Sequence, residues 1–380
     1  MNLELTDDQR MIQESIRRFS DSEVKPRAGE LDEKCEFPWE AVRGLSDLGI
    51  MGMFVEPEYG GSGLDYVSGT IAIEEIARHD ASLALTVASH NSLCIGHLRV
   101  AGSEEQKKKW LPDLAAGKKL GAWGLTEPNS GSDASGMLTN AVKDGDSWKI
   151  NGSKIFITQG TVGDVFVILA KTDGDKAQHG ISAFVLEKGM PGFSQKAMHG
   201  KLGMRASDTA ELYMENVVVP AENLLGNLNE GFIDTLKVLD AGRIGIGALA
   251  VGIGRGALEE SRTYALDRKQ FGKPIGDFQA IQWMLADMAT EIDAARLLVR
   301  RAAWTGDKGL PLTLASSQAK LFASEAATRA SMKAIQIHGG YGYTREFPVE
   351  RYLRDAKLLE IGEGTSEVQR LVIARRILSS

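Results

Sequence analysis

The 380-residue sequence contains little cysteine, with Cys35 and Cys94 as its two thiols. Two cysteines so far apart exclude a disulfide framework and a thiolate-rich metal site, and they suit a reducing compartment. The six histidines show no spacing typical of metal ligands, so we expect no bound metal. Each histidine is instead expected to be a surface or packing residue.

Long apolar segments and excess positive charge are also lacking. The longest uncharged apolar stretch, residues 244–254, is far shorter than the roughly 20 residues that cross a bilayer. The N-terminus has neither the basic region nor the apolar region of a secretory signal. Lys and Arg total 44 against 51 Asp and Glu, a net charge of −7. We therefore predict a cytoplasmic protein, with a mature mitochondrial matrix form left open, that neither inserts into membranes nor binds nucleic acid.

Motifs of several common enzyme classes are absent or misplaced. Neither the G-x-S-x-G elbow nor the G-x-x-x-x-G-K-[ST] loop occurs, so hydrolases and phosphate-loop ATPases have no support. Residues 245–250 match the dinucleotide fingerprint G-x-G-x-x-A, but they lie inside a long helical pattern, where that fingerprint does not work. The spacing of Gly245, Ala248, Gly252 and Gly256 predicts close helix packing instead.

Hydrophobic periodicity divides the chain into three regions and predicts a multidomain α+β protein. Residues 1–119 have helical periodicity and begin with a capping box at Thr6. Residues 120–228 have a period of two, which predicts short antiparallel strands in a barrel or sandwich. Residues 229–380 return to helical periodicity and predict a helical bundle.

The individual elements can be placed approximately. The clearest helices of the first region are predicted at 67–78, 81–100 and 103–116. The clearest strands are predicted at 164–170, 181–186 and 217–219. The last region has four predicted long helices and a shorter one, at 231–268, 277–305, 312–338, 348–357 and 366–378.

Three further segments are unusual. Residues 120–133 lead from a predicted strand into a loop rich in backbone donors, which suits a flat heterocycle, although an ordinary turn is the simpler interpretation. Residues 336–343 end a helix at a glycine pair, which a C-cap also explains. Residues 359–370 set Glu363 between two glycines before a helix, where a sharp bend can present a carboxylate to a cavity. A solvated Glu363 that complements the helix dipole is the alternative.

Together with residues 266–274, these segments resemble the acyl-CoA dehydrogenase family. The motifs E-P-x-x-G-S-D, R-K-x-F-G-K, G-G-x-G and E-G-T occur in family order, and the resemblance covers essentially the whole chain. It implies an N-terminal helical domain, a middle β-barrel, a C-terminal four-helix bundle, FAD as cofactor and a homotetramer built as a pair of dimers. Residues 86–93 are similar to those of short-chain, butyryl-CoA-dehydrogenase-like members.

The same resemblance implies roles for individual residues, with Glu363 as the catalytic base. The positions similar to those that surround the flavin ring are Trp123, Leu125, Thr126, Ser132, Phe156, Ile157 and Thr158. The positions similar to those that hold the rest of FAD across a subunit interface are Arg268, Phe271, Gln279, Gln336, Gly339 and Gly340, with Thr365 and Glu367 also beside the cofactor. The positions similar to substrate-binding ones are Ser132, Asp240, Arg243 and Gly364.

The implied reaction is the dehydrogenation of an acyl-CoA thioester to the trans-2-enoyl-CoA. Glu363 removes the α-proton, flavin N5 accepts the β-hydride, and electron-transfer flavoprotein receives the electrons. The helix N-terminus should lower the pKa of Glu363 and exclusion of water by the bound acyl chain should raise it, and we expect desolvation to win. An acyl-CoA oxidase and a flavin-free scaffold of the same fold are the alternatives.

Two departures narrow the assignment. Some family members carry the base immediately before the position of Arg243, where this chain has Gly242, so Glu363 is the stronger choice. Glutaryl-CoA members carry an arginine in the helix that corresponds to residues 81–90. None occurs there, so a dicarboxylyl substrate is disfavoured. Arg243 would supply the local basic site that an anionic substrate requires of an acidic protein.

Overall fold

The computed structural model describes residues 4–379, with helices at both ends of the chain and a sheet in the middle. Thr6 caps the first helix: its side chain accepts from the Gln9 N–H (3.2 Å), and the Gln9 side chain accepts from the Thr6 N–H (3.1 Å). The predicted capping box is therefore confirmed. The α-helices of this region are α1 (Asp7–Phe19), α2 (Lys25–Lys34), α3 (Trp39–Asp47), α4 (Tyr66–Ala77), α5 (Ala81–Ser89), α6 (Ile95–Ala101) and α7 (Glu104–Ala115).

The predicted helix 81–100 contains an irregular turn. A π-helical turn at His90–Cys94 joins α5 to α6 without breaking the helical path. Such turns insert an extra residue into a helix and are frequent at functional sites. All of residues 81–95 are buried, so this segment passes through the interior between the helical and sheet regions.

The middle region forms an eight-stranded sheet within the described residues. Its order is β6-β7-β3-β2-β4-β5-β8, and β1 pairs with β4. These strands are β1 (Gly121–Gly124), β2 (Asn140–Asp144), β3 (Ser147–Thr158), β4 (Val165–Lys171), β5 (Ile181–Glu187), β6 (Phe193–Ala197), β7 (Thr209–Pro220) and β8 (Leu224–Leu225). A short hairpin of β9 (Lys269–Gln270) and β10 (Lys273–Pro274) lies apart from them.

The prediction of short antiparallel strands is wrong in part. β1 pairs with β4 in parallel, with Trp123 opposite Val167, and β2 meets β4 in parallel at Asn140 and Lys171. Between β1 and β4 the chain forms the β2–β3 hairpin. The hairpin brings the chain back to the end of the sheet where β1 begins, so β4 runs in the same direction as β1. Moreover, β3 and β7 are 12 residues each, and the predicted strand 217–219 is only the end of β7.

The C-terminal region is helical, as predicted, and the observed bounds lie within about two residues of the predicted ones. The helices are α8 (Gly231–Asp267), α9 (Gln279–Asp307), α10 (Thr313–His338), α11 (Val349–Leu359) and α12 (Ser366–Leu378). The fingerprint-like residues 245–250 lie inside α8, which excludes a dinucleotide turn. A Cβ added to Gly252 would lie 2.6 Å from the Glu74 carbonyl oxygen of α4, so the predicted close packing is confirmed there.

No helix between residues 4 and 379 is long and apolar enough to cross a bilayer. The same part of the chain holds no group of three or more His, Cys, Asp or Glu side chains arranged for a metal. Both thiols are free, Cys35 exposed and Cys94 buried.

Candidate active site

Glu363 lies in the turn that connects α11 to α12. Its φ is 52° and that of Gly364 is 92°, so both residues have left-handed backbone conformations. This conformation costs a non-glycine residue about 1–3 kcal/mol and persists only where its surroundings enforce it. Gln369 provides part of that enforcement, since its Nε2 donates to the carbonyls of Glu363 (3.3 Å) and Gly364 (2.9 Å). Thr365 caps α12 by accepting from the Val368 N–H (3.2 Å).

The side chain of Glu363 points inward. Its Oε2 is buried and has no hydrogen-bond partner among residues 4–379. The carboxylate fills the space that Gly242 leaves on α8, because a Cβ there would overlap Oε2 and would lie 3.3 Å from Leu93 Cδ2. Therefore the interpretation of Glu363 as a solvated helix-dipole partner is wrong.

Two cations act on this carboxyl group. Burial raises the pKa of Glu363 to about 7, while Lys320 on α10 and then Arg243 on α8 work in the opposite direction. Burial thus prevails in the chain itself, without an acyl chain. The pKa of Glu363 is thus lowered by these two side chains, whereas the sequence predicts that the helix N-terminus lowers it.

Arg243 and Asp240 form an ion pair one helical turn away from each other on α8. Arg243 Nη1 donates to Asp240 Oδ1 (2.6 Å), and Thr313 Oγ1 donates to Asp240 Oδ2 (2.6 Å). Arg243 is 5% exposed, and its Nε has no partner within the described residues. The structure thus brings together Asp240, Arg243, Glu363 and Gly364, four of the residues expected from the sequence.

A second group lies at the edge of the sheet. The Ile155 N–H donates to the Thr126 carbonyl (2.9 Å), which sets the segment that follows β1 beside the end of β3. Trp123 and Leu125 are buried there, and Thr126 and Thr158 are half-buried. Phe156 has a φ of 60° and is 63% exposed, so it presents an aromatic ring outward.

Ile157 differs from its neighbours in this group. Its side chain is buried in the core cluster of the sheet, so it does not share the outward direction of Phe156. Any contact of Ile157 with a bound ring would therefore involve its backbone.

A buried ion pair anchors the loop that carries Ser132. Lys154 Nζ donates to Glu127 Oε1 (2.7 Å) and to the Leu125 carbonyl (3.1 Å). Glu127 also accepts from the N–H groups of Leu138 (2.5 Å) and Thr139 (3.0 Å), so both ends of the intervening loop are fixed. Ser132 is exposed between them. Sequence reasoning missed Lys154, although a lysine at an inward position of an alternating strand was a usable signal.

The π-turn and the helix that follows it link the two groups. Trp123 Nε1 donates to His97 Nδ1 (3.1 Å), and burial lowers the pKa of His97 to about 4, so the imidazole is neutral and able to accept. Leu93, one turn earlier, faces the same glycine of α8 as Glu363, because its Cδ2 lies 3.3 Å from a Cβ added to Gly242. Neither His97 nor Leu93 was expected at the site from the sequence.

A third group lies at the end of α10. Arg268, Gly339 and Gly340 line a cavity of about 480 Å³ with Tyr341, whose ring centroid is 5.7 Å from the Arg268 guanidinium carbon. Nothing lies within 4 Å of a Cβ added to Gly339 or Gly340, so the backbone is open. A cation beside open backbone suits a phosphate group.

The remaining expected residues lie outside that cavity. Phe271, 93% exposed at the tip of the β9–β10 hairpin, does not line it, and neither do the exposed Gln279 and Gln336. Glu367 is exposed in the first turn of α12.

Three family models match consecutive parts of the chain. They describe the acyl-CoA dehydrogenase N-terminal domain (residues 6–118), middle domain (122–217) and C-terminal domain (229–378). The chain belongs to the acyl-CoA dehydrogenase family, and it is an oxidoreductase with FAD as its cofactor. The predicted family, three-domain fold and cofactor are thereby confirmed.

Individual relatives are similar over the full length. The chain is 49% identical to the short-chain specific acyl-CoA dehydrogenase of Clostridium acetobutylicum, over 99% of this chain and 100% of that protein. It is 45% identical to butyryl-CoA dehydrogenase from Megasphaera elsdenii, with a TM-score of 0.97 and full coverage of both chains. A chain from the structural study of the electron transferring flavoprotein of Acidaminococcus fermentans matches at 45% identity, TM-score 0.98, with full coverage of both.

The residues present fit FAD. The sheet edge offers an exposed aromatic ring at Phe156 beside half-buried hydroxyl groups, which suits a flat ring system. The cavity at Arg268 offers a cation and open glycine backbone, which suits a pyrophosphate. The two regions are separate within one chain, because none of the residues at the sheet edge lines the cavity at Arg268.

Proposed function

We propose that this protein converts a short-chain acyl-CoA to the trans-2-enoyl-CoA with Glu363 as the base. One observation carries the proposal: Oε2 of the Glu363 carboxylate is buried in the space left by Gly242 and has no hydrogen-bond partner among residues 4–379. A pKa raised to about 7 gives it the affinity for a proton that a general base needs near neutral pH. The flavin-free scaffold is set aside, because the family is one of oxidoreductases.

The cofactor and the residues of the chain have different roles in the proposed reaction. FAD, when bound, supplies the acceptor for the hydride that leaves the β-carbon. Glu363 takes the α-proton from the opposite face, and its own backbone N–H is one donor to the thioester oxygen. The site residues proposed to hold the cofactor are Trp123, Leu125, Thr126, Ser132, Phe156, Ile157 and Thr158 at the ring, with Thr365 and Glu367 nearby, and Arg268, Phe271, Gln279, Gln336, Gly339 and Gly340 of a neighbouring subunit.

Substrate binding is assigned to the residues around Arg243. Its guanidinium is nearly buried, and its Nε has no partner among residues 4–379, so an anionic CoA group at the rim can complete its contacts. Ser132, Asp240 and Gly364 complete the proposed set. A short acyl chain is supported by the names of the relatives in Clostridium acetobutylicum and Megasphaera elsdenii.

Electron-transfer flavoprotein is the proposed electron acceptor, and a homotetramer built as a pair of dimers is the proposed assembly. The Acidaminococcus match supports the acceptor, since its study concerns an electron transferring flavoprotein. We place the reaction in fatty acid β-oxidation in the cytoplasm. An oxidase is the alternative: peroxide release with substrate alone, at a rate comparable to acceptor-supported turnover, would favour it.

An anaerobic titration with acyl-CoAs of graded chain length tests the proposal. The wild-type flavin should bleach most completely with short chains. Glu363→Gln should retain FAD and lose orders of magnitude in the rate of flavin reduction, because the amide keeps the shape and cannot accept the proton. Flavin reduction at a near-normal rate in E363Q would reject Glu363 as the base.

A further inference from the structure

Lys320 is a fully buried lysine on α10 that faces the Glu363 turn. Its Nζ donates to the Gly364 carbonyl (2.7 Å), which also accepts from Gln369. Within residues 4–379 no carboxylate lies in ion-pair distance of this ammonium. Burying a charge without a direct partner is costly, so such a group requires an explanation.

We propose that Lys320 is a positioning residue for Glu363: it fixes the Glu363–Gly364 turn through the Gly364 carbonyl, and its charge favours the ionised carboxylate. This inference rests on the proposed role of Glu363 as the base. A hydrogen bond from an ammonium to a buried carbonyl is among the stronger ones, and it opposes relaxation of the left-handed backbone at Glu363.

The charges around the turn single out Lys320. Arg243 also faces Glu363, but Asp240 lies 2.6 Å from its guanidinium and offsets its charge. On the acidic side, Glu360 is paired with Lys357 (2.6 Å), and Glu367 is exposed. Lys320 is therefore the cation near Glu363 whose field is least compensated.

The protonation of Lys320 itself agrees with this role. Burial lowers its pKa to about 8, while Glu363 works in the opposite direction. The ammonium is then mostly charged at pH 7 and supports the carboxylate that makes a base.

An infrared pH titration of the holoenzyme tests the proposal directly. The protonated Glu363 carboxyl gives a C=O band that is absent from E363Q, and its pH midpoint reports the pKa without turnover. In Lys320→Met and Lys320→Gln the midpoint should rise by about one pH unit. At a pH below the midpoint, the ionised fraction of Glu363 is then about tenfold lower than in wild type. The pH profile of flavin reduction should move by the same amount. Lys333→Met on the same helix, which removes an ion pair with Asp287 (3.0 Å), should leave the midpoint in place.

A midpoint within about 0.2 pH unit of wild type in both Lys320 variants would overturn the proposal. If neither variant folds, the coupling is measured from the other side by ¹⁵N-lysine NMR. Coupling is reciprocal, so Lys320 should titrate at a lower pH in E363Q than in wild type, and an unchanged Lys320 midpoint would overturn the proposal. Neither titration depends on catalysis, so failure of acyl-CoA to bleach the wild-type flavin would count against the proposed function alone.

Discussion

At Glu363 the backbone and the side chain are controlled by different parts of the chain. The left-handed backbone is held by donors from α10 and α12, whereas the carboxylate occupies a space made by α8. The raised pKa follows from this arrangement, because the carboxyl group loses water and its Oε2 gains no hydrogen bond from the described part of the chain. The burial that suits Glu363 to proton transfer therefore destabilises the folded protein when the carboxyl group is ionised.

We predict a pH-dependent stability difference between E363Q and wild type. The pKa of Glu363 is about 7 in the folded chain against an ordinary 4.5. The contribution of this carboxyl group to the free energy of unfolding is therefore fully present below pH 4.5 and is lost as the pH rises through 7. At pH 8 this amounts to at most about 3 kcal/mol, and E363Q should be the more stable protein.

Denaturant unfolding of the two holoproteins between pH 5 and 8 measures this difference. The two stability curves should converge toward pH 5. Glu58→Gln, which removes an exposed carboxyl group, is the matched control. Parallel stability curves for E363Q and wild type would contradict the raised pKa of Glu363.

Gly242→Ala should displace the base and leave the fold intact. The added methyl would overlap Glu363 Oε2, which is the end of a flexible side chain, so the carboxylate moves and the backbone need not. We expect flavin reduction to slow by about 100-fold with FAD content unchanged. Gly245→Ala, one turn along α8 with its closest contacts at 3.6 Å, is the matched control. Equal reduction rates in the two variants would show that Gly242 does not make room for the base.

The long helix α8 contacts the N-terminal helices through glycines, and these are not equivalent. Gly252 brings the backbone of α8 against α4, whereas Gly245 faces side-chain atoms at ordinary van der Waals distance. Close approach of the two backbones therefore requires Gly252 and not Gly245, although both glycines belong to the same pattern of spacings in the sequence.

Gly252→Ala should destabilise the protein, and Gly245→Ala should not. A Cβ at Gly252 would lie 2.6 Å from the Glu74 carbonyl oxygen and 2.5 Å from Ala77 Cβ, so two helices must separate, at a cost of about 1–3 kcal/mol. Gly245→Ala should be neutral or stabilising by up to about 1 kcal/mol, because alanine has the higher helix propensity. Thermal unfolding compares the two, and equal melting temperatures would contradict the packing argument.

Across the whole molecule, the candidate FAD-binding residues form two separate regions of one chain. The sheet edge and the Glu363 turn are linked through Leu93 and His97. The cavity at Arg268 and Gly339 lies at the far end of α10 and includes none of these residues. We predict that a single FAD uses both regions by binding between two copies of the chain, so that cofactor binding and assembly depend on each other.

Arg268→Ala should therefore release FAD and weaken the oligomer together. Loss of the guanidinium removes the cation from the cavity, and bound cofactor no longer stabilises the assembled state. The flavin-to-protein absorbance ratio and sedimentation velocity measure the two effects. Arg262→Ala, an exposed arginine on α8, should change neither. An R268A protein that stays fully yellow and assembled like wild type would remove this role from Arg268.

The sequence by itself determined the kinds, order and approximate bounds of the elements. Periodicity, caps and turns depend on residues a few positions apart, so the capping box at Thr6 and the long C-terminal helices could be predicted. The glycine pair around Glu363 likewise indicated a sharp bend at a local level. The family motifs indicated the fold and the cofactor because several of them occur in order.

Tertiary structure alone decided what surrounds Glu363. Lys320 and Gly242 are distant from it in sequence, and only the packing of α8 and α10 against the turn makes them its neighbours. The parallel pairing of β1 with β4 depends in the same way on how the chain returns after a hairpin. The carboxyl pKa is a property of this assembled environment, since it reflects water excluded and charges brought close by residues from separate helices.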